Sequence, residues 1–335
     1  MQYEWLNNVA HMSSDHTTLT FGYYFNQKIE PNTLPKNLTS LTFGFCFNQK
    51  IEPNTLPENL TDLTFGNNYH QKIEPNILSE NLITLTFGHS FDQKIEPNTL
   101  PEKLTSLTFG GNFNQKIKLN TLPEKLTTLT FGWQFNQGID PNTLPENVSY
   151  LTFGENVNQI VEPNTLSKNL TTLTFGCHFN QKIESNILPK NLSSLTFGYS
   201  FNQKIEPNTL PENLTSLTFG LKFNQKIDLE MLPSNLKNIN FNWIDTNKYH
   251  SYEHHIEMVN NIPNYYHVKL FLEQNIFFAD WPKWPIHVAK YRESEWSSEI
   301  YEIHDKYTHP IYGSIAILIN KETYQPYSPT KSALK

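Results

Sequence analysis

Arginine is all but missing: Arg292 is the only one in 335 residues. The 25 basic residues are outnumbered by 32 acidic ones, for a net charge of −7. No global positive field therefore draws this chain to nucleic acid or to an anionic membrane surface. No run approaches the ~18 consecutive apolar residues of a membrane-spanning helix. The segment Met1 to His16 has no basic stretch followed by an apolar run, so it does not read as a signal peptide. Only two cysteines occur, Cys46 and Cys177, at unrelated positions. They make no disulfide framework, and a reducing compartment suits them. Gly-rich phosphate loops, nucleophile elbows and Cys-x-x-Cys pairs are lacking, so no cofactor is expected and no enzyme class gains support from them. Six Asn-x-Thr/Ser sequons occur, Asn37, Asn59 and Asn213 among them, and without a signal peptide they read as unused.

Glycine is scarce too, and its placement is the first positive signal. Of 13 glycines, ten close the phrase Leu-Thr-Phe-Gly, which recurs every 22 residues from Phe21-Gly22 to Phe219-Gly220 without insertion or deletion. Phe241 keeps the register, with Asn242 at the glycine position. A strict period of this length means stacked coils, each burying its apolar side against its neighbours. Residues 19–243 read as one solenoid, 1–18 as an N-terminal cap and 244–335 as a C-terminal unit.

The coil from Asn37 shows the logic. Leu41 and Phe43 alternate with Ser40 and Thr42, the period-2 pattern of a strand with one buried face. Gly44 ends the strand, through either a positive φ or a tight bend that a Cβ would obstruct. Leu38, Phe47, Ile51 and Leu56 supply the remaining core. Prolines in the return segment disfavour an α-helix, and extended or 3₁₀ backbone is expected there. The fold class is a β-rich solenoid of about ten to eleven 22-residue coils, which the family resemblance given below implies are leucine-rich-repeat-like. Its sheet is parallel and spans roughly 50 Å. It carries few or no convex helices, and a small C-terminal α+β unit follows.

Three polar columns follow from the stacking. Thr20, Thr42, Thr64 and their successors face outward from the sheet. Asparagines such as Asn26, Asn48 and Asn114 bond along the axis or close turns, with His70 and Asp92 as exceptions. Lysines at 28, 50, 72 and onward are followed two residues later by an acid in most coils. In extended backbone i and i+2 share a face, so this column reads as a mixed-charge surface rather than a phosphate-binding ladder.

The phrase Phe-Asn-Gln-Lys-Ile, followed by Leu-Pro-Glu-Asn-Leu-Thr-Ser-Leu-Thr-Phe-Gly, closely resembles the FNIP repeat. That family occurs in social amoebae and in giant amoebal viruses of the mimivirus type, and is related to leucine-rich repeats. The spacing of Leu38, Leu41 and Phe43 looks like the start of L-x-x-L-x-L. It then departs: the usual asparagine is absent and the next anchor is Phe47. The abundance of Asn, Ile, Lys and Phe over Ala suggests an A+T-rich genome and looks most like the viral branch. Many viral members resemble F-box proteins. Only 18 residues precede Leu19 here, so no F-box is recognisable and a ubiquitin-ligase link is unsupported. Tyr3, Trp5 and Leu6 are instead expected to cover the open end of the first coil.

The residues just after each glycine vary freely between otherwise near-identical coils. They include Tyr23, Tyr24, Phe45, His89, Trp133, His178 and Tyr199. Varied side chains on a fixed frame make a reading surface, and Tyr and Trp are hot-spot types. The expectation is a non-enzymatic, cytoplasmic scaffold (in a host cytoplasm if viral) that binds an unknown protein partner, with no nucleic acid and no membrane. The alternative is a structural or self-associating repeat protein. A remote one is a metal-dependent hydrolase, from His250-Ser-Tyr-Glu253-His254, which matches H-x-x-E-H. Two histidines on zinc with Glu253 as base would be its chemistry. In the C-terminal unit a helix is expected over 249–259, and strands over 266–272, 300–305 and 314–320.

Overall fold

The computed structural model describes residues 9–242 apart from 224, 226 and 228–230, together with the backbone of four later strands. A short strand, β1 (Ala10–Met12), comes first. Then one strand recurs per coil: β2 (Thr18–Phe21), β3 (Ser40–Thr42), β4 (Asp62–Thr64), β5 (Thr84–Thr86), β6 (Ser106–Thr108), β7 (Thr128–Thr130), β8 (Tyr150–Thr152), β9 (Thr172–Thr174), β10 (Ser194–Thr196), β11 (Ser216–Phe219) and β12 (Asn238–Asn242). Later come β13 (His267–Leu272), β14 (Asn275–Ala279), β15 (Tyr301–His309) and β16 (Gly313–Asn320). The strands expected at 266–272, 300–305 and 314–320 fall on β13, β15 and β16. The helix expected over 249–259 and the capping residues Tyr3, Trp5 and Leu6 lie outside the described residues. Among the described residues there is no α-helix.

Strands β2 to β13 pair in parallel, in sequence order, and each end of the sheet carries a reversed strand, β1 on β2 and β14 on β13. The coils stack without offset: Leu41 faces Leu63, which faces Leu85. A fixed 22-residue coil makes this possible, because one inserted residue would turn every side chain of a strand to the other face. Leu19, Leu41, Leu63 and their successors are buried, as are Leu38, Phe47, Ile51 and Leu56.

Coils close through up to three turns bonded between residues i and i+3. In the coil of β3, Phe47 N–H donates to Gly44 O (3.2 Å), Thr55 N–H to Glu52 O (3.1 Å) and Leu60 N–H to Pro57 O (3.2 Å). The middle turn is type II. Pro53 presets the first corner, and Asn54 takes the second at φ 63°. Asparagines hold this left-handed position from Asn32 to Asn208. The repeat glycines do something else: none lies in the left-handed region, and the space beside them is what matters. A Cβ on Gly66 would fall on the carbonyl oxygen of Gly44, and the same collision repeats up to Gly220. Of the two roles open to Gly44, the structure selects close approach.

The core is two columns of stacked rings. Phe21 through Phe219 follow one another at 5.5–5.9 Å, and the second column, Phe25, Phe47, Tyr69 and onward, at 5.9–6.3 Å. Strands in a ladder sit about 4.8 Å apart. Spacing therefore widens with depth behind the sheet, so the coils fan out and the sheet lies inside the bend. Tyr69 alone brings a hydroxyl into the second column. It is buried without a partner, and burial pushes its pKa well above the usual range. Tyr69→Phe is expected to stabilise the chain by roughly 1–2 kcal/mol, because an unpaired buried hydroxyl is removed while its ring stacking is kept. Urea denaturation checks this, and an unchanged midpoint would show that the hydroxyl is satisfied.

The asparagine column clips coil to coil. Asn26 Oδ1 accepts Asn48 N–H at 2.8 Å, and Asn180 Oδ1 accepts Asn202 N–H at 2.8 Å. Asp92 does the same for Asn114 N–H at 2.8 Å. The lysine column is neutralised beside itself, as in Lys72–Glu74 (3.0 Å) and Lys204–Glu206 (3.2 Å). Two departures interrupt it: Ile160 stands where a lysine would precede Glu162, and the other departure is self-compensating. Lys118 replaces the acid after Lys116, and Gly138 replaces the next lysine. Lys116 therefore reaches across to Asp140 at 2.9 Å. These pairs are exposed and add little stability.

At the N-terminal edge Asp15 ties the turn between β1 and β2. The Ser13 hydroxyl (2.6 Å), the Thr17 hydroxyl (2.9 Å) and the Thr17 N–H (3.1 Å) converge on its Oδ1 and hold its carboxyl down at about 2. A depressed carboxyl contributes stability that is present above its unfolded value, near 4, and lost as pH falls through 2. Amide exchange at Gly22, whose N–H donates to Val9 O at 2.7 Å, should accelerate between those limits. In Asp15→Asn that acceleration should vanish.

Candidate interaction surface

The variable residues occupy the two corners of the turn that each glycine opens. Their backbone is fixed twice. The turn closes on the buried ring, as in Phe135 N–H to Gly132 O at 3.2 Å. The second corner also donates to the first corner of the preceding coil, as in Cys46 N–H to Tyr23 O (3.0 Å), Gln134 N–H to Gly111 O (2.8 Å) and Lys222 N–H to Tyr199 O (2.9 Å). This second ladder runs beside the strand ladder along the solenoid. Loop variability without restraint is ordinary; here the backbone is regular and only the side chains differ.

Of the seven residues singled out from the sequence, five form two clusters. Tyr23 stacks on Phe45 at 4.8 Å and meets Tyr24 edge-on at 4.8 Å. His89 meets Trp133 edge-on at 5.7 Å, two coils away. Tyr199 stands alone among the seven, covered by Lys222, whose Nζ lies 5.2 Å from the ring centre. His178 is exposed and adjoins none of these rings. Tyr24 is 84% exposed and Trp133 58%, so large apolar faces stand in solvent. Two contributors escaped sequence reading. Gly111 leaves room between coils: a Cβ there would press into the His89 ring, so its absence lets His89 lie over toward Trp133. Lys222 looks like one more variable corner until the structure sets it on Tyr199.

Among the described residues nothing comparable gathers elsewhere. Cys46 and Cys177 are separate free thiols. Among the described residues no group of three His, Cys, Asp or Glu side chains could hold a metal; His250, Glu253 and His254 lie outside them. A cleft of about 120 Å³ opens on the return side of three coils, between Leu119, Thr143 and Ser167. Of the charged groups on it, Glu146 is paired with Lys168 at 3.4 Å. Among the described residues no helix is long and apolar enough to cross a membrane.

A family model described as the FNIP Repeat matches residues 17–46, 47–78, 69–112, 113–156, 158–200 and 201–243. Among solved structures, the crystal structure of CroV588, from a giant virus and described as a novel circular LRR protein structure, is similar at a TM-score of 0.67 and 45% identity. The similarity covers 76% of this chain and 39% of that one, so this chain spans well under half the length of that protein. No curated protein matches. The fold is thus a leucine-rich-repeat-like β-solenoid, as the FNIP resemblance implied.

Proposed function

Because this chain belongs to the FNIP-repeat family, we propose that it is an interaction scaffold binding a protein partner through the residues after each Leu-Thr-Phe-Gly. FNIP and leucine-rich-repeat-like solenoids are typically non-enzymatic scaffolds, which supports this reading. The observation that carries it is the pairing of an invariant, doubly hydrogen-bonded backbone with variable, exposed aromatic side chains. Tyr and Trp on such a frame supply contact area at low entropy cost, because neither backbone nor ring has much freedom left to lose. The partner is met in the cytoplasm, a host's if the chain is viral like its CroV neighbour.

The test is affinity purification of the intact chain beside a variant with Tyr23, Phe45, Trp133 and Tyr199 changed to alanine. One stoichiometric partner is expected, bound at least ~100-fold more weakly by the variant, the loss produced by about 2.7 kcal/mol of hot-spot contacts. Undiminished binding would place the reader elsewhere. Concentration-dependent self-association in light scattering, with no partner recovered, would favour a structural role instead.

A further inference from the structure

The six sequons begin at Asn37, Asn59, Asn147, Asn169, Asn191 and Asn213. In the folded chain every residue of every triplet is committed. Each asparagine Nδ2 donates to a backbone carbonyl of the preceding coil, or of the N-terminal turn for Asn37, at 2.7–3.0 Å. Each third-position hydroxyl is bonded to a carbonyl one repeat earlier at 3.0–3.3 Å. Each middle residue, such as Leu38 or Val148, is 0% exposed.

Two coils that keep the asparagine without a sequon show whether the pattern serves a glycan acceptor or the packing of the coils. Asn81 and Asn235 make the same clamp, to Glu58 O at 3.0 Å and Glu212 O at 2.8 Å. Their third residues are Ile83 and Lys237, so neither is a glycan acceptor. The clamp persists where the hydroxyl does not. We infer that the sequons are by-products of an inter-coil clamp, that the folded chain is closed to N-linked glycosylation, and that its coils are made for a compartment without that modification.

The chemistry sets the conflict. Glycosyl transfer joins the asparagine Nδ2 to the anomeric carbon of a lipid-linked oligosaccharide, with loss of one Nδ2 proton and departure of the lipid pyrophosphate. The acceptor nitrogen and its hydroxyl must be free to enter the transferase. Here both are bonded and the residue between them is core. A chain glycosylated before folding would carry a bulky sugar on an atom that must lie within 3.0 Å of the neighbouring coil.

The experiment uses the full chain purified from a cytosolic host, incubated with oligosaccharyltransferase and lipid-linked donor, native or unfolded in urea and diluted into the assay. Mass spectrometry should find no glycan on the native chain and several on the unfolded one. The same chain, sent through a eukaryotic secretory pathway by an added leader, should emerge glycosylated and without a cooperative melt. A variant with Thr39, Thr61, Ser149, Thr171, Ser193 and Thr215 changed to valine, like the natural Ile83 coil, should emerge unglycosylated and folded. Glycans on the native chain, or a glycosylated chain that melts as the cytosolic one does, would overturn the inference.

Discussion

Gly132→Ala is expected to break the solenoid into two halves that unfold separately. A Cβ at residue 132 would meet the carbonyl group of Gly110 and come within 2.9 Å of the Gly111 Cα. Both obstacles are backbone, held by hydrogen-bonded ladders on either side, so no side chain can swing away. The expected loss is roughly 3–5 kcal/mol, at the upper end for one substitution. Its form is as informative as its size. Apart from the His89–Trp133 edge contact, coils touch only their neighbours, so stability is close to a sum of coil and interface terms, and a failed central interface uncouples the arrays on its two sides. Urea denaturation should show two transitions in place of one. Gly138→Ala is the matched control. Nothing lies within 4 Å of the Cβ it would add, and its φ is not positive. That variant should match the parent or gain up to about 1 kcal/mol through the unfolded chain. A single parent-like transition in Gly132→Ala would show that the glycine column is dispensable.

Phe113→Ala should be nearly as damaging, by another route. The ring is 0% exposed and stacks on Phe109 at 3.9 Å within its coil. Phe91 and Phe135 flank it at 6.2 and 6.1 Å. Truncation removes buried apolar area and leaves a void that the strand ladders cannot close, at about 3–5 kcal/mol. The chain contains a milder version of this change. Val157 takes the ring position between Phe135 and Phe179, and its coil also has Val148 and Val161 where other coils carry leucine and isoleucine. Phe113→Val should therefore cost clearly less than alanine. Equal losses would mean that shape filling in this column matters less than the stack itself.

Much of this was legible in the sequence, because a strict repeat displays its own core. Leu41, Phe43, Phe47, Ile51 and Leu56 could be placed by periodicity alone, and the lysine–acid pairing by i and i+2 spacing. What stayed hidden needed a third dimension. The left-handed position belongs to Asn54 in Glu-Pro-Asn-Thr, while Gly44 answers to a carbonyl one coil away, which residue type cannot reveal. The candidate stripe was visible as variation between copies. Its grouping was not: His89 and Trp133 belong to different coils and meet only because Gly111 between them has no side chain. The charge exchange from Lys116 to Asp140 is likewise a relation between coils.

The widening from strand ladder to inner and outer ring columns has a further reach. If each coil turns its neighbour through a fixed small angle, then the number of coils sets the direction in which the far end points as well as the length. Gain or loss of a 22-residue unit by unequal recombination would open or close the arc without altering any contact inside it. Gape would then be inherited as copy number, separately from the side chains that line the stripe.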